Sequence, residues 1–168
     1  GQGSLYHIMG EQFKAQSNLD LMHVPYKAAV QIFTDLAGGA VDMSFTPLAG
    51  PAPGMVKEGR FKLIGVSSPT PQPLFPGVAP ISAHKTFPGF NFDIWVGLQV
   101  PKSTPEEAVQ KINQAMNEAL KAEAYIKGVA STGGQIPPPM SVAELDKFYY
   151  GEVDRYRALF KAAKVEPQ

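Results

Sequence analysis

The sequence predicts an α/β domain around a mostly parallel sheet, followed by a helical C-terminal third. Three observations carry that prediction. Short apolar runs alternate with stretches of helical periodicity through residues 1–67, the pattern of strands alternating with helices. Residues 90–100 place Phe90, Phe92, Ile94, Val96, Leu98 and Val100 on one parity, the period of a strand with an apolar face. Beyond residue 104 the apolar positions recur at helical spacing.

Residues 3–15 read as the first helix. Ser4 offers an N-cap hydroxyl, and Leu5, Ile8, Met9 and Phe13 share a face. Residues 21–25 are nearly all apolar, as suits a buried parallel strand; His23 within it predicts a hydrogen-bonded core histidine. Ala29, Ile32, Phe33 and Leu36 mark a second helix, which Gly38-Gly39 ends. Residues 41–45 are the next strand, 51–59 hold at most a short helix, and 61–67 are a third strand. Pro69, Pro71, Pro73, Pro76, Pro80 and Pro88 leave room for little more than a turn of helix before residue 90. The strand at 90–100 is long enough to join two bodies.

The C-terminal third opens at Thr104-Pro105-Glu106-Glu107, which combines an N-cap, a proline at the first helical position and a capping-box glutamate. Val109, Ile112, Met116, Ala119 and Leu120 continue as a stripe. Residues 122–130 form a shorter helix ending towards Gly133-Gly134. Ser141 with Glu144 makes a second capping box, from which Leu145, Phe148, Tyr149, Val153, Tyr156, Leu159 and Phe160 run as a long amphipathic helix to about Ala163.

Composition narrows the function. The 168 residues suit one domain, or one domain plus part of another. Fifteen basic side chains balance fifteen acidic ones, which rules out the simplest nucleic-acid reading, one that needs a clear basic excess or stripe. No apolar run reaches the length of a membrane-spanning helix. With no cysteine there is no disulfide framework, thiol nucleophile or cysteine-ligated metal. Gly and Pro, 16 each, are dispersed between apolar segments as turns. The chain opens Gly1-Gln2-Gly3-Ser4 with no initiator Met and no signal peptide, so the expectation is that sequence has been removed upstream.

His7, His23 and His84 are far apart and fall in no metal-binding spacing, and no G-x-S-x-G elbow is present. The expectation is a protein without catalysis, metal or cofactor. The Gly1–Ser4 start is more informative. A glycine-containing turn feeding a helix leaves backbone N–H groups free, with the positive end of the helix dipole behind them. Such a turn accepts an anion, and the Ser4 hydroxyl adds a donor; an ordinary N-cap is the plainer alternative. Tyr26-Lys27 and Thr46-Pro47 follow predicted strands, at the carboxyl ends where open α/β sheets place ligands.

These segments resemble a known family. Gly1-Gln2-Gly3-Ser4, His7, Gly10-Glu11 and Phe13 resemble the G-x-G-S-x-x-H-L-A-G-E-x-F motif of tripartite tricarboxylate transporter substrate-binding proteins, the Bug or TctC-type receptors. His23-Val24-Pro25-Tyr26-Lys27 resembles that family's HVPYKG, with Ala28 replacing the usual Gly. Thr34-Asp35-Leu36-Ala37-Gly38-Gly39-Ala40-Val41-Asp42 is similar to TDLLGGQVD, and Trp95-Val96-Gly97-Leu98-Gln99-Val100-Pro101 to W-x-GLFAP. Thr104-Pro105-Glu106 and the Gly133-Gly134 to Pro137 region follow in register. The resemblance spans essentially the whole chain.

The resemblance implies a periplasmic receptor of the type II binding-protein kind, whose α/β lobes close on a small carboxylate and deliver it to membrane permease subunits. It implies ligand-binding roles for Gly3, Ser4, His7, Tyr26, Lys27, Ala28, Thr46 and Pro47. The family often has Asp or Asn near the last of these, so Thr46-Pro47 and Ala28 leave the identity of the acid open. The family layout further implies that residues 1–89 are the second lobe without its first strand. Residues 90–168 would be a hinge strand and a helical segment returning to a first lobe absent from this chain. The striped helices at 104–121 and 141–163 would then pack against another surface, in a homo-oligomer. A ligand-sensing or partner-binding module of the same fold, without a transport role, is the alternative.

Overall fold

Ser4 starts α1 (Leu5–Ser17): its hydroxyl accepts the His7 N–H, while its own backbone is still extended at φ −80°. The computed structural model describes residues 1–163. After α1 come α2 (Ala29–Gly38), α3 (Ala52–Lys57), a 3-10 turn at Ile81–Ala83, α4 (Glu106–Ala119), α5 (Glu123–Ser131) and α6 (Val142–Ala162). The sequence signals for these helices hold almost everywhere. Gly39 ends α2 in the left-handed region at φ 76°, where glycine costs no Cβ clash. Ser141 and Glu144 form the reciprocal box that starts α6: the Ser141 N–H donates to the Glu144 carboxylate at 2.8 Å, and the Glu144 N–H to the Ser141 hydroxyl at 3.3 Å. One cap moves. Pro105, not Thr104, is the N-cap of α4, and it has no side chain to bond the first turn.

The predicted parallel sheet is the main correction. Among the described residues no strand forms, and the one ladder contact is an isolated parallel bridge between Val66 and Pro80. Residues 21–25, 41–45, 61–67 and 90–100 are apolar as the sequence promised, but a strand exists only as half of a pair. These runs find no neighbour to pair with along their length. Their side chains show it: Met22 is 86% exposed, Ile64 81% and Val96 97%.

The described residues divide into two compact units, one of Gly1–Asp93 with residues 159–163, the other of Ile94–Ala158. The division falls inside the alternating run at 90–100. In the first unit Ile8, Met9, Phe90 and Phe92 are buried together. Phe13 stacks on Phe87 with centroids 4.6 Å apart and meets Phe45 and Phe90 edge-on, the offset and T-shaped geometries that aromatic quadrupoles favour. Leu159 and Phe160, at the end of α6, pack on the same cluster. Phe92 is pinned from both sides of its peptide: its N–H donates to Ser67 O at 2.8 Å, and its carbonyl accepts the Ser67 hydroxyl at 2.9 Å.

The second unit is held differently. Trp95 meets Phe148 and Tyr149 edge-on and donates its indole N–H to Glu152 at 3.2 Å. Asn113 and Asn117 on α4 both donate to the Met140 carbonyl just ahead of α6. No apolar side chain of this unit is fully buried among the described residues. Polar ties and one tryptophan take the place of a core.

Candidate functional site

The first candidate residues meet in one turn. Gly3 takes φ 73°, which folds the chain back so that the Ser4 N–H donates to Gly1 O at 3.1 Å. His7 then holds both turn residues. Its Nδ1 accepts the Gly3 N–H at 3.1 Å, and its own N–H donates to the Ser4 hydroxyl at 3.4 Å. The N–H groups at the very start of α1 have no acceptor inside the helix, so the turn retains the donor-rich, positive character that the sequence suggested.

A second loop lies beside it. Gly1 sits so close to the Tyr26 carbonyl that a Cβ built there would be 3.7 Å from that oxygen. The Tyr26 hydroxyl donates to Asp35 on α2 at 2.7 Å; that bond to a carboxylate pushes the Tyr26 phenol above its ordinary pKa. Ala28, exposed, is the N-cap of α2 and gives it no side-chain hydrogen bond. Two helix starts, α1 with its hydroxyl cap and α2 with none, therefore flank the Tyr26 loop in sequence.

The other candidates are less closely joined. Lys27 is exposed and forms no ion pair among the described residues. Thr46 and Pro47 are half-buried and follow Phe45, which packs on the aromatic cluster under α1; no hydrogen bond links them to the turn among the described residues. A groove of about 410 Å³ lies elsewhere in this unit, between α2 and α3, lined by Val30, Phe33, Thr34, Met55 and Arg60.

The sequence missed His23. It is not a core residue but exposed, and its ring stacks on that of His7 with centroids 4.0 Å apart and planes within 13°. Partial burial first, and then the facing His7, lower its pKa, against an upward pull from Glu11. Glu11, one helical turn beyond His7, brings its carboxylate to 3.8 Å from His7 Nε2. Lys14 fastens the same arm to α1 by donating to Leu21 O at 2.7 Å. The His7–His23 spacing has no local signature, because it arises only when the chain doubles back along α1. Among the described residues no cluster of three metal-ligating side chains occurs, and no helix is long and apolar enough to cross a membrane.

The chain is similar to proteins of one family by sequence and by fold. A protein encoded between clcB and clcD in Pseudomonas knackmussii is 34% identical over 159 residues, spanning 95% of this chain and 93% of that one. A solved structure described as R. palustris Rpa4515 with adipate superposes with a TM-score of 0.82 at 24% identity, over 99% of this chain and 55% of that chain. The periplasmic binding protein BugD does so with a TM-score of 0.80 at 24% identity, over 98% and 55%. The chain thus has the fold of a portion of these periplasmic binding proteins, and spans about half the length of the solved chains and of another curated relative, at 47%. The profile described as "Tripartite tricarboxylate transporter family receptor" matches residues 1–165, and the chain belongs to that family.

Proposed function

We propose that this chain is the carboxylate-holding portion of a periplasmic solute-binding receptor that feeds a tripartite tricarboxylate-type permease. The observation that carries the reading is the Gly3–Ser4 turn: left-handed at Gly3, capped at Ser4, opening α1 beside the Tyr26 loop. The Ser4 hydroxyl and the N–H groups of Leu5 and Tyr6, which have no acceptor inside α1, are the donors that would hold a carboxylate, which fits a chain whose charges balance. Adipate bound to a protein of the same fold supports a small dicarboxylate as the ligand class. Gly3, Ser4, His7 and Tyr26 are assigned to the ligand, with Lys27, Ala28, Thr46 and Pro47 completing the rim. Nothing in this arrangement calls for bond-making chemistry; the role is to bind, orient and release.

Residues 1–89 are assigned to one lobe. Residues 90–168 are assigned to a hinge strand and a helical segment returning to the first lobe, which would complete the cleft and cover the bare faces of residues 94–100. Thermal-shift measurements against adipate, succinate, citrate and benzoate test the reading, since only a ligand of the native state raises the midpoint. A rise with one of the acids and no consumption of it supports binding. No rise with any acid, in this chain or in one extended to the length of its relatives, refutes it.

A further inference from the structure

We propose that His23 positions the Gly3–Ser4 turn through His7, and that the stacked pair lets a single proton open that turn. The hydrogen bond from Gly3 N–H to His7 Nδ1, at 3.1 Å, requires a lone pair on that nitrogen. The neutral ring therefore carries its proton on Nε2, the edge nearest the Glu11 carboxylate at 3.8 Å. A second proton has one place to go, Nδ1, where it meets the Gly3 N–H donor to donor. The bond is then lost. Since the backbone N–H of His7 also holds the Ser4 hydroxyl, a movement of this residue reaches both residues of the turn.

His23 makes the arrangement selective. Its ring covers one face of His7, whose side chain is left only 11% exposed, and so keeps the imidazole pointed at Gly3. Two imidazolium rings stacked at 4.0 Å would repel; after desolvation, the facing His7 is what lowers the His23 pKa. The charges that face the pair are few. At His23, Glu11 favours protonation and the Gly1 amino group opposes it. Lys14, on the same face of α1, is occupied with Leu21 O and keeps the His23 arm from swinging away.

The consequence for binding rests on the carboxylate reading above. A turn that opens in acid loses carboxylate affinity as the pH falls below the histidine range. An imidazolium placed beside an anion in an intact turn would instead gain affinity.

The experiment is a pH titration of the ligand-free chain by nitrogen-15 NMR, following both imidazoles and the Gly3 amide. The Gly3 amide is expected to move with the same midpoint as the His7 ring. His7→Asn, whose side-chain oxygen replaces Nδ1 as acceptor without titrating, is expected to hold the Gly3 amide constant through pH 5 and to let His23 titrate at higher pH. His23→Ala is expected to speed Gly3 hydrogen exchange at pH 8, and His23→Phe, which keeps a stacked ring, to restore it. A circular-dichroism melt of each variant checks that it folds. A Gly3 amide indifferent to pH, or two histidines that titrate independently, overturns the proposal. Adipate titrated at pH 8 and pH 5.5 adds the functional arm, with weaker binding in acid expected and stronger binding in acid overturning it. A turn that opens with acid in a chain that binds no carboxylate at either pH upholds the latch and removes the carboxylate reading.

Discussion

The Tyr26 hydroxyl donates to the Asp35 carboxylate at 2.7 Å, and so ties the loop beside the α1 turn to the middle of α2. A phenol held this way has its folded pKa raised above the unfolded value. Its contribution to stability is present below about pH 10 and is lost as the pH rises through the folded pKa. Tyr26→Phe removes the tether without removing the ring. The expected result is a small fall in the melting midpoint and a several-fold loss of dicarboxylate affinity, read by calorimetric titration. Equal affinity in both proteins would detach Tyr26 from the site.

The turn itself is separable by substitution. Ser4→Ala deletes the N-cap acceptor of α1 and is expected to cost about 1 kcal/mol in urea unfolding. Gly3→Ala forces a Cβ into the left-handed region at φ 73° and is expected to cost about 1–2 kcal/mol. Stability unchanged in both would mean that the turn is not fixed in solution.

Burial decides the fate of the alternating run. Phe90 is fully buried among Phe13, Phe45, Phe87 and Phe92, and Phe90→Ala is expected to cost about 3–5 kcal/mol. Val96 has the same parity but is 97% exposed, and Val96→Ala is expected to change stability by less than about 0.5 kcal/mol in this chain. In a chain extended to the length of its solved relatives, the Val96 substitution is expected to cost more. Denaturant midpoints for this chain, the longer chain and their variants check these statements.

Acid sensitivity has a direction. His23 has a folded pKa below its unfolded value, so the unfolded chain binds the proton more readily. Its contribution to stability is therefore present above the unfolded pKa, about 6.5, and falls away as the pH drops from there towards the folded value. Urea midpoints measured at intervals from pH 8 to pH 5 should decline through that window, and less steeply for His23→Phe. A flat profile for both would leave His23 without a titration linked to folding.

What the sequence could be made to say divides along physical lines. Ser4, Gly39 and the Ser141–Glu144 box are local devices, each made by residues within one turn of its helix, and the structure has them where the sequence put them. Strands are different, because an apolar run states only that a face wants burial and not which backbone will pair with it. Residues 61–67 reach one bridge, Val66 to Pro80, and residues 94–100 reach none. Phe90 and Val96 carry the same signal and end up in opposite environments, since Ser67 fastens the chain at Phe92 and no described strand fastens it beyond. The site shows the same split. Gly3, Ser4 and His7 were legible together as a helix start, whereas the stack of His23 on His7 joins residues sixteen positions apart through the path of the intervening chain.

The turn at the start of α1 is proposed to receive a carboxylate. The most direct test is a two-dimensional amide NMR titration of the chain with adipate, which detects even millimolar binding residue by residue. Saturable shifts are expected at Gly3, Ser4, Leu5, Tyr6 and Tyr26, with the amides of α4 and α5 unmoved. Saturable shifts confined to other segments, or none at the turn at the highest adipate concentration tested, would contradict it.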